Sequence, residues 1–446
     1  MNLLLHNTLI FTNDTPSTVL SNHAVVIQGN QIIEIGQEAD LIKKYKQYSR
    51  IDGKGRLLMP GLINAHMHCY STFARGLTIK ERPRRFGEIL SMLWWKLDWA
   101  LDEDAIYYST LIPAITAIKK GVTSFIDHHS SPHAIADSLD HVERAMLLLG
   151  LRGVLCYEVS NRDGAPIAWK GLAENERYLR KCQRAQEKDS CYLMDGMVGL
   201  HASFTLENET LAAAGAMSVQ HGKGCHIHVG EAPLDQQITF QNHQCGLVER
   251  LDQFGILGPQ TIAAHGIHLT EPEKDLLAQK DTILVHNPQS NMNNAVGRTD
   301  IFSYLQKNIL LGLGTDGMCA DIKPDVRTAL WLQKHDLHDS NAGWQELEQV
   351  VLHNNPAIME RITGTKLGKI KAGYLADLIL VDYYPPTPLT ADNFWGHFLF
   401  GICDADVDTS IINGQVVMEN KQLVGIDEEK AAVASQRCAE RVWSKF

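Results

Sequence analysis

Nowhere in the 446 residues is there a run of about 18 apolar residues, so no segment is long enough to cross a bilayer as a helix. Cysteine pairs are missing as well. The nine cysteines, Cys69, Cys156, Cys182, Cys191, Cys225, Cys245, Cys319, Cys403 and Cys438, stand singly, and no C-x-x-C occurs. An odd, scattered set argues against a disulfide framework or a structural zinc knuckle and suits a reducing compartment. Positive charge is in deficit: 41 Lys and Arg against 52 Asp and Glu give a net charge of −11. Without a basic stripe interleaved with aromatics, nucleic-acid binding has no electrostatic support. The first residues, MNLLLHNTLIFTND, lack the basic start and small-residue cleavage site of a secretory signal. The expectation is a cytoplasmic protein handling a small molecule, with no nucleic acid and no membrane. A homo-oligomer stays open. No internal repeat or low-complexity tract appears, and 44% hydrophobic with 21% charged residues is a globular composition.

What the chain has in quantity is histidine, twenty in all. Their placement follows the organisation of the chain. Residues 3–55 read as short strands broken by Gly-Asn and Gly-Lys turns. The same texture returns in KIKAGYLADLILVD (369–382) and DTSIINGQVVMENKQLVG (408–425), where Asn413-Gly414 between apolar runs signals a hairpin. One β-sandwich domain built from both chain ends, 1–55 plus 366–425, is therefore expected. Between them, over 56–365, strands and helices alternate. Helices are expected over 102–121 and 132–150, each closing on Gly. Eight strand candidates (LLMPGLINAHMH, VTSFIDHH, LRGVLCYEV, DGMVGLHAS, GCHIHVG, TIAAHGI, TILVHN and ILLGLGTD) match the strand number and length of an α/β fold of the (β/α)8 TIM barrel type. Residues 426–446 read as an amphipathic C-terminal helix that packs on the body.

Nearly every barrel candidate ends in histidine or aspartate: His66 and His68, Asp127-His128-His129, His201, His228, His265, His286 and Asp316. In such a barrel all C-terminal strand ends meet on one face. His66 and His68, two apart on a strand, point the same way. His228 lies nearer its strand end than His226, which is expected to pack below. Three histidines with Asp316 around one cation, with a position left for water, match a catalytic zinc or iron site. Glu231 stands on the loop after His228, beside the metal. GLGTDG (312–317) also fits the dinucleotide pattern G-x-G-x-x-G, but Asp316 would put a carboxylate in the phosphate cradle, and no helix opens there before Pro324.

These motifs, MPGLINAHMH, HIHVGE, AAHGIHL, VHNPQSNMN, LGTDG and the closing GKIKAGYLADLILVD, resemble the amidohydrolase superfamily over almost the whole chain. The branch is that of the aminohydrolases and cytosine-deaminase-like enzymes. LWWKLDWALDEDAIYYS and FIDHHSSP look closest to the SsnA-like aminohydrolases, with 8-oxoguanine, guanine and S-adenosylhomocysteine deaminases as more distant cousins. The resemblance implies His66, His68, His228 and Asp316 as ligands of one divalent metal, most simply zinc, with iron as the other choice. It implies Glu231, His265 and Asp316 as the catalytic residues and His201 as a substrate contact. Where binuclear members carry a lysine, this chain has His201, which points to a single metal. The implied reaction is attack of metal-bound hydroxide on an amino-substituted N-heterocycle (purine, pyrimidine or pterin-like), with release of ammonia. A chlorohydrolase or cyclic-amide hydrolase on the same scaffold, or a metal-bearing binding protein without turnover, are the alternatives. Trp94, His128 and Asn291 are further candidates for the substrate pocket.

Overall fold

The computed structural model describes residues 2–80 and 82–446. A nine-stranded sheet takes five strands from the start of the chain, between Asn2 and Pro60, and four from its end, between Leu378 and Leu423. Its alternation is plain in the first strand, Asn2–Phe11. Leu3 and Leu5 enter one apolar cluster with Val25, Ile27 and Leu380, whereas Leu4 turns to the other face with Ala24, Val26 and Leu41. The expected hairpin is present. Asn413 and Gly414 link Val407–Ile412 to Gln415–Glu419, both at positive φ (52° and 71°), as a two-residue turn matched to strand twist requires.

The central region is the expected parallel barrel. Four strands form one arc: Leu62–Met67, Val122–His129, Arg152–Tyr157 and Met194–Gly196. Five segments form the other: Val198–Ala202, Cys225–Val229, Ile262–His265, Ile283–His286 and Leu311–Leu313. Bridges Met67–Asp316 and Val159–Leu200 join the arcs at both seams. The fourth barrel strand is thus divided around Met197. Of the expected helices, the first spans Glu103–Lys119, capped by Asp102, whose carboxylate accepts from the Ala105 amide at 2.9 Å. The second is shorter than expected, Ser138–Leu148, because Asp137 sits in the left-handed region at φ 59° and helical geometry starts only after it. The last helix, Glu428–Trp443, buries Ala431, Ser435, Cys438 and Val442 and packs on Glu103–Lys119, with Trp443 donating to the Phe73 carbonyl at 2.7 Å.

Sheet and barrel are joined through LLMPGLINAHM, which forms two strands and not one. Leu57–Pro60 pairs with Leu378–Val381 in the sheet, Gly61 turns, and Leu62–Met67 enters the barrel. Gly61 is required there: a Cβ would lie 2.2 Å from the Thr123 methyl. Beside it, Arg152 of the third barrel strand makes a bidentate, buried pair with Asp377 (2.8 and 3.1 Å), which also accepts from the Asn413 amide at 2.7 Å. Asp377→Ala strands this guanidinium and is expected to cost about 3–5 kcal/mol in chemical unfolding. Arg152→Met with Asp377→Leu should recover part of that loss. A wild-type unfolding midpoint for Asp377→Ala would show that the pair does not clamp sheet to barrel.

Candidate active site

At the mouth of the barrel the strand-end side chains converge as far as atoms can without touching. His66 and His68 come from the first strand, His228 from the fifth and His265 from the end of the sixth; Asp316 follows the eighth. His265 (φ 77°) and Asp316 (φ 53°) both occupy the left-handed region, costly for a residue with a side chain and common where geometry is imposed by function. The turn at Asp316 is held by its own amide and that of Thr315, which both donate to the His66 carbonyl (3.0 and 2.9 Å), while the His68 amide donates to the Asp316 carbonyl at 3.1 Å. The carboxylate is thereby aimed back at the first strand, with Oδ1 3.1 Å from His68 Nε2 and 3.5 Å from His66 Nε2. Gly314, in the dinucleotide-like stretch, is there for close packing: a Cβ would lie 2.6 Å from the His66 carbonyl oxygen. The next helix starts only at Lys323, so the stretch cradles no phosphate.

The outer nitrogens of these rings are all engaged. His68 Nδ1 donates to the His128 carbonyl (2.6 Å), His228 Nδ1 to the His201 carbonyl (2.8 Å) and His265 Nδ1 to Asn291 Oδ1 (2.8 Å). Those acceptors fix the Nδ1–H, so each ring in its neutral form turns an Nε2 lone pair inward. His66 Nδ1 meets His226 Nε2 at 2.7 Å. The lone pairs are turned on one another: His68 Nε2 and His228 Nε2 are 3.1 Å apart. Among the described residues the buried Nε2 atoms of His66 and His265 have no hydrogen-bond partner. Such an arrangement is repulsive until a cation enters it. Neutral imidazoles with one carboxylate are the donor set of a divalent first-row metal, each held by an outer partner as metal-ligating histidines are. His66, His228, His265 and Asp316 place one ligand atom each within 4.8 Å of one another, a set with His265 where the sequence pointed to His68, whose Nε2 lies 3.1 Å from both Asp316 Oδ1 and His228 Nε2.

Protonation follows the same logic. Burial drives His66 down to about 3 and His228 well below the usual range. Burial would lower His68 too, but Asp316 overrides it and pushes the ring up to about 9. Two carboxyls are driven in opposite directions. Burial, and the charge of Asp316, raise Glu231 well above the usual range; for Asp316 burial is outweighed by His66 and His68, which hold it well below.

The pocket over this centre is lined by His201, Trp94 and Trp95, with Phe86, Leu90 and Met318 as its apolar cover. Two substrate candidates fall outside it. His128 is fully buried, with Nδ1 3.0 Å from Glu158 and Nε2 3.0 Å from the His226 carbonyl, because strand alternation turns it into the barrel. Asn291 sits in a short helix, Pro288–Asn293, and reaches back to orient His265 rather than out to a ligand. His226 is below, as expected, but as the partner of His66. Glu158 and Arg162, which line the pocket, carried no spacing signal in the sequence; their place just past the third strand end was the available clue.

Residues 57–417 match the Amidohydrolase family. The chain belongs to this family. Over 99% of both chains, this amidohydrolase is 30% identical to a 5-methylthioadenosine/S-adenosylhomocysteine deaminase of Pelotomaculum thermopropionicum. It is 29% identical to a 5'-deoxyadenosine deaminase of Methanosarcina acetivorans, over 99% of this chain and 98% of that one. A solved adenosine deaminase of Xanthomonas campestris with bound zinc shares the fold at a TM-score of 0.84, 20% identity and 99% coverage of both chains. Amidohydrolases bind a divalent metal, and the lone-pair geometry above fits one. A second grouping, His68, His128, Glu158 and His228, lies equally close. Both His128 nitrogens are already engaged, so it offers no free ligand set. Replacing the His66 partner, His226→Leu, is expected to weaken divalent-cation affinity about 10–100-fold in competition with a chromogenic chelator. Unchanged affinity would mean that His66 needs no orienting bond.

Proposed function

We propose that this amidohydrolase deaminates an amino-substituted N-heterocycle, with His66, His68, His228 and Asp316 holding one divalent metal, zinc in the first instance, within a barrel body of residues 56–365. The observation that carries this reading is geometric: two buried carboxyls flank His265, Glu231 driven up by burial and the charge of Asp316, and Asp316 driven down by His66 and His68 despite its burial. His265 Nε2 is 3.5 Å from Glu231 Oε2 and 3.8 Å from Asp316 Oδ2. Two carboxyls so separated in proton affinity are the acid and the base of a hydrolysis.

When bound, the cation supplies Lewis-acid polarisation that makes water a nucleophile at neutral pH. Asp316 accepts the proton from water, its other oxygen steadied by the Ser290 hydroxyl at 2.5 Å. His265, fixed by Asn291, presents a lone pair that orients the attacking O–H. Glu231, close to Asn294 (3.4 Å), gives its proton to the ring nitrogen beside the reacting carbon as electron density collects there. Asp316 then passes its proton to the amino group, the C–N bond breaks and ammonia leaves; as the ring carbonyl forms, the hydroxyl on that carbon gives up its proton, which restores Glu231. The deaminase names of the 29–30% identical relatives support ammonia as the leaving group over chloride.

Ammonia release from a panel of aminated heterocycles tests the reading directly. Glu231→Gln should retain about one metal per chain by elemental analysis and lose about 10²–10⁴-fold in turnover. Asp316→Asn should abolish turnover with the fold intact by circular dichroism. A panel in which no aminated ring yields ammonia, or a Glu231→Gln protein as active as wild type, would overturn the assignment.

A further inference from the structure

Past the third barrel strand, Glu158 and Arg162 bring one acceptor atom and one donor atom to the pocket wall that make no hydrogen bond among the described residues and meet each other only in a long ion pair. Glu158 Oε2 is engaged by His128 at 3.0 Å, but among the described residues no hydrogen bond reaches Oε1. The guanidinium of Arg162 is immobilised on three sides. Nη2 pairs with Asp98, Nε donates to Asp163 at 3.1 Å, and the plane lies over the Trp95 ring, 5.3 Å from its centroid. Its Nη1 makes no hydrogen bond among the described residues and stands 3.9 Å from Glu158 Oε1. Both side chains are more than nine-tenths buried, so this is a fixed pair of recognition groups and not a solvated rim.

We propose that Glu158 and Arg162 select heterocycles bearing a lactam, an N–H next to a C=O, directly beside the reacting carbon. The rings in question are 2-amino-4-oxopyrimidines, as found in oxopurines and pterins. The inference rests on the deaminase reading and sharpens it. Glu158 and Arg162 line the same pocket as His68, His228 and Glu231, so both face whatever ring occupies it. In a lactam of this type the reacting carbon has two ring nitrogens as neighbours. One is bare and takes the proton of Glu231; the other carries hydrogen and meets Glu158 Oε1, which brings the adjacent carbonyl to Arg162 Nη1. An adenine ring has no N–H beside its amino-bearing carbon, and its N7 lone pair would turn toward the carboxylate. Buried groups left unpaired by the wrong ring are the strongest source of discrimination available to such a site.

The test uses the metal-loaded protein and two readouts. In titration calorimetry, hypoxanthine (lactam present, no amino group) should bind at least about tenfold more tightly than purine, and Glu158→Gln should abolish that ratio. In ammonia release, guanine should exceed both 2-aminopurine and 5'-methylthioadenosine by at least about 10²-fold in kcat/KM. Arg162→Gln combined with Asp98→Asn, which removes the buried pair together, should lower the guanine value with metal content unchanged. Equal binding of hypoxanthine and purine, or a Glu158→Gln protein with the wild-type ratio, overturns the lactam assignment. So does 5'-methylthioadenosine turned over as well as guanine, which leaves the deaminase reading standing. A lactam binding preference without ammonia from any ring would sink the deaminase reading while the recognition pair survives.

Discussion

Everything at the barrel mouth depends on one electrostatic constraint: bare imidazole nitrogens face one another around a carboxylate, where no hydrogen can serve them all. Backbone carbonyls take the outer N–H of His68 and His228, and Asn291 takes that of His265. The rings cannot turn away without leaving a buried donor unpaired, at a cost of about 1–3 kcal/mol each. The barrel walls therefore hold the lone pairs in place against their own repulsion. The left-handed backbone at His265 and Asp316 is part of the same imposition, since both turns aim a side chain inward at the expense of local comfort. A cation relieves this tension and links folding energy to metal occupancy.

The same environment divides the labour of the carboxyls. Glu231 and Asp316 are both buried, yet Asp316 is surrounded by imidazoles and Glu231 by Asp316 itself. On the proposed reading the first holds a proton and the second accepts one. Asn291 and Asn294, after the seventh strand, hydrogen-bond His265 and Glu231 (2.8 and 3.4 Å), while Glu158 and Arg162 line the pocket wall.

Much of this was legible in the sequence because a parallel barrel turns linear pattern into position. A histidine or aspartate at the end of an apolar run has only one place to go, the common rim. His66, His68, His228, His265 and Asp316 were placed on that rim in this way, and His226, further from its strand end, was set below His228. Strand-end position misled at His128, since it does not say which of Asp127, His128 and His129 turns inward; that depends on register against Arg152–Tyr157. Asn291 reads from the sequence as an amide facing the ligand, because HNPQSNMN follows a strand end, whereas packing places it in a short helix, Pro288–Asn293, where it bonds His265. Glu158 and Arg162 were invisible for a different reason. Their significance lies in hydrogen bonds not made, and absence leaves no spacing to read.

The continuity of the sheet strand at 57–60 with the barrel strand at 62–67 bears on how the protein comes into being. His66 and His68 leave the ribosome early, but the segment that flanks their strand, Leu378–Val381, emerges only after Asp316 and all the other ligands. Leu57–Pro60 thus lacks its Leu378–Val381 neighbour until nearly the whole chain exists, and the sheet edge that leads straight into the barrel strand of His66 is completed late.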